Sequence, residues 1–254
     1  MVLLKDTCRP VTLEQTKIIA EQMERYICKV YCNYGGFGTG FFCNINFNNI
    51  IIPSLITNMH VIDAKKLLSD GIVKVMINEE EKVIQINENR TLYSDEVYDV
   101  TIIEIKPEDK IEYFLEIDKG IFRESGKNNY IGNSIYCIQY IEHNEETKAF
   151  VSYGILKNIS IEGREKIIHY CSTERGSSGS PIFDLKINRV IGIHTRSSKW
   201  LNYNSGFLLT KPIIEFIRVI ETKNKYNEYK SKAFSNLKLI SSGSYGKIIV
   251  LSIQ

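Results

Sequence analysis

The chain has 254 residues, 43% hydrophobic and 24% charged, with a net charge of +2 and six cysteines. A chain of this size buries roughly 70–75% of its unfolded surface, enough for a core without metal or disulfide staples. Its near balance of charge gives nucleic acid or an anionic membrane no electrostatic hold, and no apolar run approaches the roughly 20 residues of a membrane span. The opening Met1-Val-Leu-Leu-Lys5 is too short and too poor in basic residues for a secretory leader. The cysteines at 8, 28, 32, 43, 137 and 171 impose no disulfide framework by their spacing. The expectation is reduced thiols in a cytoplasmic compartment.

Thr12-Leu-Glu-Gln15 has the form of a capping box, and Ile19, Met23, Tyr26 and Ile27 follow at the spacing of an apolar helical stripe. This predicts a helix over 12–25. From Ile27 the pattern changes to short apolar runs between turn signals, predicting strands at 27–33, 38–45, 50–57, 72–77, 82–87 and 99–106. Residues 107–128 are polar and irregular, the composition of a linker. A second strand set follows at 130–140, 147–158, 165–171, 180–184, 189–195 and 204–210. Lys211 to Ile220 reads as a closing helix with Thr210 as its cap, Pro212 in its first turn, and Ile213, Phe216, Ile217 and Ile220 on one face. The fold class is therefore all-β, divided into an N-terminal helical extension (1–25), a first strand set (26–115), a second with its closing helix (116–222), and a polar tail (223–254). Ser242-Gly-Ser-Tyr-Gly246 in that tail is similar to the glycine-rich loop of protein kinases. Ser241 stands where the first glycine belongs and no kinase body follows, so it reads as a surface hairpin.

The chemistry converges on Glu174-Arg-Gly-Ser-Ser-Gly-Ser-Pro181, a polar turn between apolar runs. Gly176 and Gly179 let the backbone take positive φ, and a tight loop of this kind can hold the Ser178 hydroxyl outward while its N–H groups converge on an anion. A nucleophilic serine needs a base, and the base an orienting acid. His60 ends one apolar strand and Asp99 opens another. Asp95 is the nearest rival, but it heads no apolar strand. His143 and His169 match no comparable pattern.

The order His60, Asp99, Ser178 is that of chymotrypsin-type enzymes. Thr57-Asn-Met-His60-Val resembles the histidine box of trypsin-like serine peptidases, Asp99-Val-Thr-Ile-Ile103 their aspartate strand, Gly176-Ser-Ser-Gly-Ser-Pro181 their nucleophile loop, and Gly38-Thr-Gly-Phe41 the opening of their second strand. The resemblance spans about Tyr26 to Ile220. It implies two packed six-stranded antiparallel β-barrels with the triad between them, a protein or peptide substrate, no cofactor and no metal. It also implies an oxyanion hole at the N–H groups of Gly176 and Ser178. Ser177 stands where many relatives carry an aspartate that pairs with a new N-terminus, so activation by such a cut is not expected.

The run around Ser178, with Val190-Ile-Gly-Ile-His194 after it, is similar to the glutamyl endopeptidase group. That likeness implies a specificity pocket of Thr173 and His194, with Ser197 adding a hydroxyl, and a preference for Glu, Asp or Gln before the cut bond. Ser172, where trypsin itself has aspartate, disfavours Lys or Arg there.

Overall fold

Helix α1 (Leu13–Arg25) begins where the capping box sets it. In the computed structural model the Gln15 N–H donates to Thr12 Oγ1 (3.2 Å), and the Thr12 N–H donates to Gln15 Oε1 (3.0 Å). The structure describes residues 7–32, 35–47, 50–143, 146–160, 164–198, 202–235, 241–243 and 246–248. The buried face of α1 carries Ile19 and Gln22. Gln22 donates to Asn188 O (3.1 Å) and accepts from the Tyr136 hydroxyl (2.7 Å), so the helix is tied to the C-terminal half of the chain.

The first strand set comprises β1 (Ile27–Tyr31), β2 (Phe37–Phe47), β3 (Ile50–Thr57), β4 (Ile72–Ile77), β5 (Glu80–Gln85), β6 (Leu92–Asp95), β7 (Val100–Glu104) and β8 (Leu115–Glu116). A short helix, α2 (Ala64–Asp70), stands between β3 and β4. The strands form one sheet in the order β5-β4-β1-β2-β3-β7-β6, with β8 running parallel to β2. The expected six-stranded first barrel is thus an open eight-stranded sheet. Its seam is bridged by a side chain instead of a ladder. Buried Arg90 donates from Nε to Gln85 O at the end of β5 and from Nη1 to Glu104 O at the end of β7, both at 2.7 Å. Asp109 pairs with both Nη atoms, at 2.6 and 2.9 Å, leaving no buried charge alone.

The second set comprises β9 (Ser134–His143), β10 (Glu146–Ser160), β11 (Lys166–His169), β12 (Pro181–Asp184), β13 (Arg189–Ser198) and β14 (Tyr203–Leu208), closed in the order β10-β11-β14-β13-β12-β9. This is the six-stranded barrel expected of the second half. Alternation along β2 places Phe41, Cys43 and Ile45 in the large core shared with this barrel, and Phe42 in the smaller core of the first sheet.

The segment between the two sheets is stitched to both. Leu115 and Glu116 pair with Cys43 and Asn44. Ile117 bridges to Val190, and the Asp118 N–H donates to Val190 O (2.9 Å). Helix α3 (Thr210–Ser235) buries Ile213, Phe216 and Ile217 and runs well past the apolar stretch that predicted it. The Thr210 hydroxyl donates to Ile121 O (3.0 Å), which fastens the start of the helix to the segment between the two sheets. Strands β15 (Ser241–Gly243) and β16 (Gly246–Ile248) pair as a hairpin; residues 244–245 of the glycine-rich stretch lie outside the described residues. Among the described residues no helix is long and apolar enough to cross a membrane, and all six thiols are free.

Candidate active site

The loop between β11 and β12 is held mainly by its own backbone. Ser177 stands where an aspartate would need an outside partner. Its hydroxyl donates to Glu174 O (2.7 Å) and accepts from the Glu174 N–H (2.8 Å), while its own N–H also reaches Glu174 O (3.1 Å). The N–H of Gly179 donates to His194 O (3.1 Å) and that of Ser180 to Ser177 O (3.0 Å). Those of Gly176 and Ser178 donate to no acceptor among the described residues. Such alternation leaves two donors for an anion.

Both glycines are required by geometry. Gly176 has φ +99° and Gly179 φ +90°. A Cβ on Gly179 would stand 2.0 Å from Thr39 O, and one on Gly176 2.5 Å from Tyr140 O. Ser178 is half-buried. Its carbonyl accepts from the Thr39 N–H (2.8 Å), and Thr39 Oγ1 donates to Gly176 O (2.8 Å) while accepting from the Tyr140 N–H (2.9 Å). Thr39, from the first sheet and fully buried, therefore fixes the loop of the second. In the sequence Thr39 reads only as part of a strand opening, and its place between Gly38 and Gly40 is the one signal of this role.

The histidine elbow follows β3. Asn58 donates from Nδ2 to Asp99 O (2.7 Å). Asp99 takes φ +49°, which turns its carboxylate back on the elbow. Oδ1 accepts from the His60 N–H (3.1 Å), and Oδ2 lies 2.7 Å from His60 Nδ1. The far side is braced by Thr101, whose hydroxyl donates to Ile62 O (2.6 Å). His60 keeps 46% of its side chain exposed and Asp99 only 12%, so the carboxylate is shielded and the imidazole open. Asp95, the rival acid, accepts from Tyr93 OH and from the N–H groups of Val97 and Tyr98 (2.7–3.0 Å), a turn-holding role.

The two loops adjoin. A Cβ on Gly38 would lie 2.5 Å from Val61 and 3.0 Å from Ser178 O, and one on Gly179 would lie 3.2 Å from Asn58 N. Among the described residues no hydrogen bond joins Ser178 Oγ to His60; catalytic contacts of this type are often long in unliganded sites and tighten on binding substrate.

Thr173 and Ser197 are brought together, Oγ1 to Oγ 2.7 Å apart, in a groove lined also by Tyr170, Cys171 and Ser172. His194 is not among the residues that line that groove; it is buried, 2% exposed. Its Nδ1 is 3.2 Å from Nε2 of buried His169, with the rings edge to face. Burial, and secondarily the charge of nearby His60, push His194 down to about 4; burial and then His194 push His169 well below its ordinary value. Both imidazoles are neutral at neutral pH. His169 was not legible as a site residue because nothing beside it marks a motif.

A family model described as "Trypsin-like peptidase domain" matches residues 38–193. No curated protein sequence matches the chain. Among solved structures it is similar to a serine endoprotease from Yersinia pestis, at 18% identity over 83% of this chain and 68% of that one, with a TM-score of 0.58. It is similar to Deg5 at 17% identity over 79% and 91%, TM-score 0.55. It is also similar to the active form of the Rv3671c protease from M. tuberculosis, at 14% identity over 82% and 87%, TM-score 0.54. At these identities the likeness is one of fold, the two-barrel chymotrypsin-like arrangement of a closed barrel against an open one.

Proposed function

Since this chain belongs to the trypsin-like peptidase family, whose model spans more than half of its length, we propose that it is a serine endopeptidase working through His60, Asp99 and Ser178. The observation that carries the reading is the 2.7 Å contact between His60 Nδ1 and Asp99, beside a loop whose Gly176 and Ser178 N–H groups have no protein acceptor. Asp99 holds the imidazole with its proton on Nδ1, so Nε2 is the base. Ser178 Oγ attacks the peptide carbonyl as His60 Nε2 takes its proton, and the carbonyl oxygen becomes an anion held by the two N–H groups. His60 then protonates the leaving amine. A water, deprotonated by the same imidazole, releases the acyl group.

An extended peptide fits the open edge of β13. Strand β12 stops pairing with it at Ile193, so among the described residues Thr195 to Ser198 have no strand partner on that side, where an added strand can pair. The Thr173 and Ser197 hydroxyls offer donors to the side chain before the cut bond, and His194, three residues before Ser197 on β13, is the third member of the proposed pocket. No carboxylate lies at Ser172 to attract Lys or Arg. The proposed preference is Glu, Asp or Gln.

A fluorophosphonate probe is expected to label the protein at one site, and Ser178→Ala to abolish labelling. The missing Ser178–His60 hydrogen bond also fits a silent peptide-binding module of the same fold. That reading expects no labelling and no turnover of a peptide library, whereas the peptidase reading expects cleavage after the residues named.

A further inference from the structure

The closed barrel contains a group of polar side chains that the proposed chemistry does not use. The sulfurs of Cys137 and Cys171 and one ring nitrogen of His169 all lie within 4.8 Å of one another, and all three residues are buried. Cys137 sits midway along β9, while His169 ends β11 and Cys171 follows two residues later. His169 Nδ1 is buried without a hydrogen bond. Ser152 stands opposite Cys137 in the β9–β10 ladder, its hydroxyl in reach of the Cys171 thiol, which also meets the Cys137 sulfur. The two thiols belong to the apolar core that holds Leu156, Ile167 and Ile193. A buried imidazole nitrogen left unpaired is costly, and beside two sulfurs it calls for a ligand.

We propose that Cys137, His169 and Cys171 bind one structural zinc ion beneath the specificity groove. Two sulfurs and an imidazole nitrogen are a zinc-type donor set. Tetrahedral ligands at Zn–S of about 2.3 Å and Zn–N of about 2.0 Å stand about 3.5–3.8 Å apart, so the cluster closes on the ion with shifts of about 1 Å or less. Binding releases both thiol protons to solvent, and two thiolates then balance the dication. A neutral unit is what a deep site without other charges admits. His169 Nδ1 is the ring nitrogen without a partner; coordination there keeps the proton on Nε2, which donates to His194 Nδ1 across 3.2 Å. Ser152 Oγ is the protein oxygen at hand for the fourth position. Cys171 lines the groove beside exposed Ser172, giving the ion a short way in. The ion holds structure and takes no part in bond cleavage; its proposal departs from the expectation of a chain without metal.

The test uses the full chain, stripped of metal and titrated with zinc against a chromophoric chelator, then with cobalt(II). The expected result is one zinc per chain at submicromolar affinity and the thiolate-to-cobalt charge-transfer absorption of a tetrahedral site. Cys171→Ser and His169→Gln are each expected to weaken zinc binding by about 100-fold or more, while Cys32→Ser leaves it unchanged. Folded wild-type protein that takes up no zinc at micromolar free metal would overturn the proposal, whatever the variants do. So would zinc uptake that survives Cys137→Ser with Cys171→Ser, or a Cys137–Cys171 disulfide that forms in preference to the metal site. These readouts need no turnover, so they stand apart from the peptidase reading.

Discussion

The two sheets bring their parts of the candidate site into place by different means. The closed barrel β9–β14 presents its loop through main-chain bonds: Gly179 N–H to His194 O, His194 N–H to Ser180 O, Ser180 N–H to Ser177 O. The open sheet β1–β8 presents His60 through side chains: Asn58 on the Asp99 carbonyl, Asp99 on the imidazole, Thr101 on the Ile62 carbonyl. Even its seam is closed by one guanidinium. A site held mostly by main chain tolerates most side-chain changes outside its glycines, Ser177 and the bracing Thr39. A site held by side chains fails one residue at a time, so the vulnerable half of the enzyme is the one that supplies the base.

The largest effect expected is on the base itself. Asp99→Asn should lower kcat/KM by about 10⁴-fold with the fold unchanged, because the amide favours the wrong imidazole tautomer. A loss under tenfold would remove Asp99 from the mechanism. Next comes the seam. Asp109→Ala strands the buried Arg90 charge and should reduce the free energy of unfolding by about 3–5 kcal/mol in a urea titration. A change below about 1 kcal/mol is the size expected of a solvated surface pair, and would mean that the guanidinium does not close the sheet. Thr39→Val probes the point where the two modes of support meet. It removes the hydroxyl that binds Gly176 O and Tyr140 N–H but keeps the main-chain bond to Ser178 O, so kcat should fall by about 10–100-fold with KM little changed. An unchanged kcat would show the closed barrel holding its loop unaided. The smallest effect is expected at His194. Its replacement by Ala should reduce cleavage after Glu, Asp and Gln by about tenfold, or ~1.4 kcal/mol, as read from a peptide library. Equal loss on every peptide would give His194 a packing role only.

Where local chemistry decides an element, the sequence was a sufficient guide. Thr12 and Gln15 set the start of α1, and the strand alternation around Phe41 and Phe42 marks a sheet between two cores. Where partners far along the chain decide, it was not. Helix α2 has only seven residues, too few for a period to show, and rests on Asp63 as its cap and Gly71 at its end. β6 has no buried residue in its pattern and exists because β7 pairs with it. α3 continues through polar residues because an established helix needs no apolar face to propagate. At the site, the boxes around His60, Asp99 and Ser178 were legible because their local residues prepare them. Thr39 and His169 were not, since each draws its meaning from a residue on the other side of a sheet or barrel. The same holds for the open first sheet, whose closure by Arg90 depends on Asp109.

The stitched connector from Leu115 to Asp118 has a consequence for what can be digested. Bound to β2 at one end and to β13 at the other, it gives the halves no hinge on which to swing apart. On the proposed peptidase reading, a cleft without that hinge takes a strand that has already come free. The lifetime of a target in the presence of this protein should then follow how often the target locally unravels, which makes conformational frailty, more than sequence around the cut, the property that marks a victim.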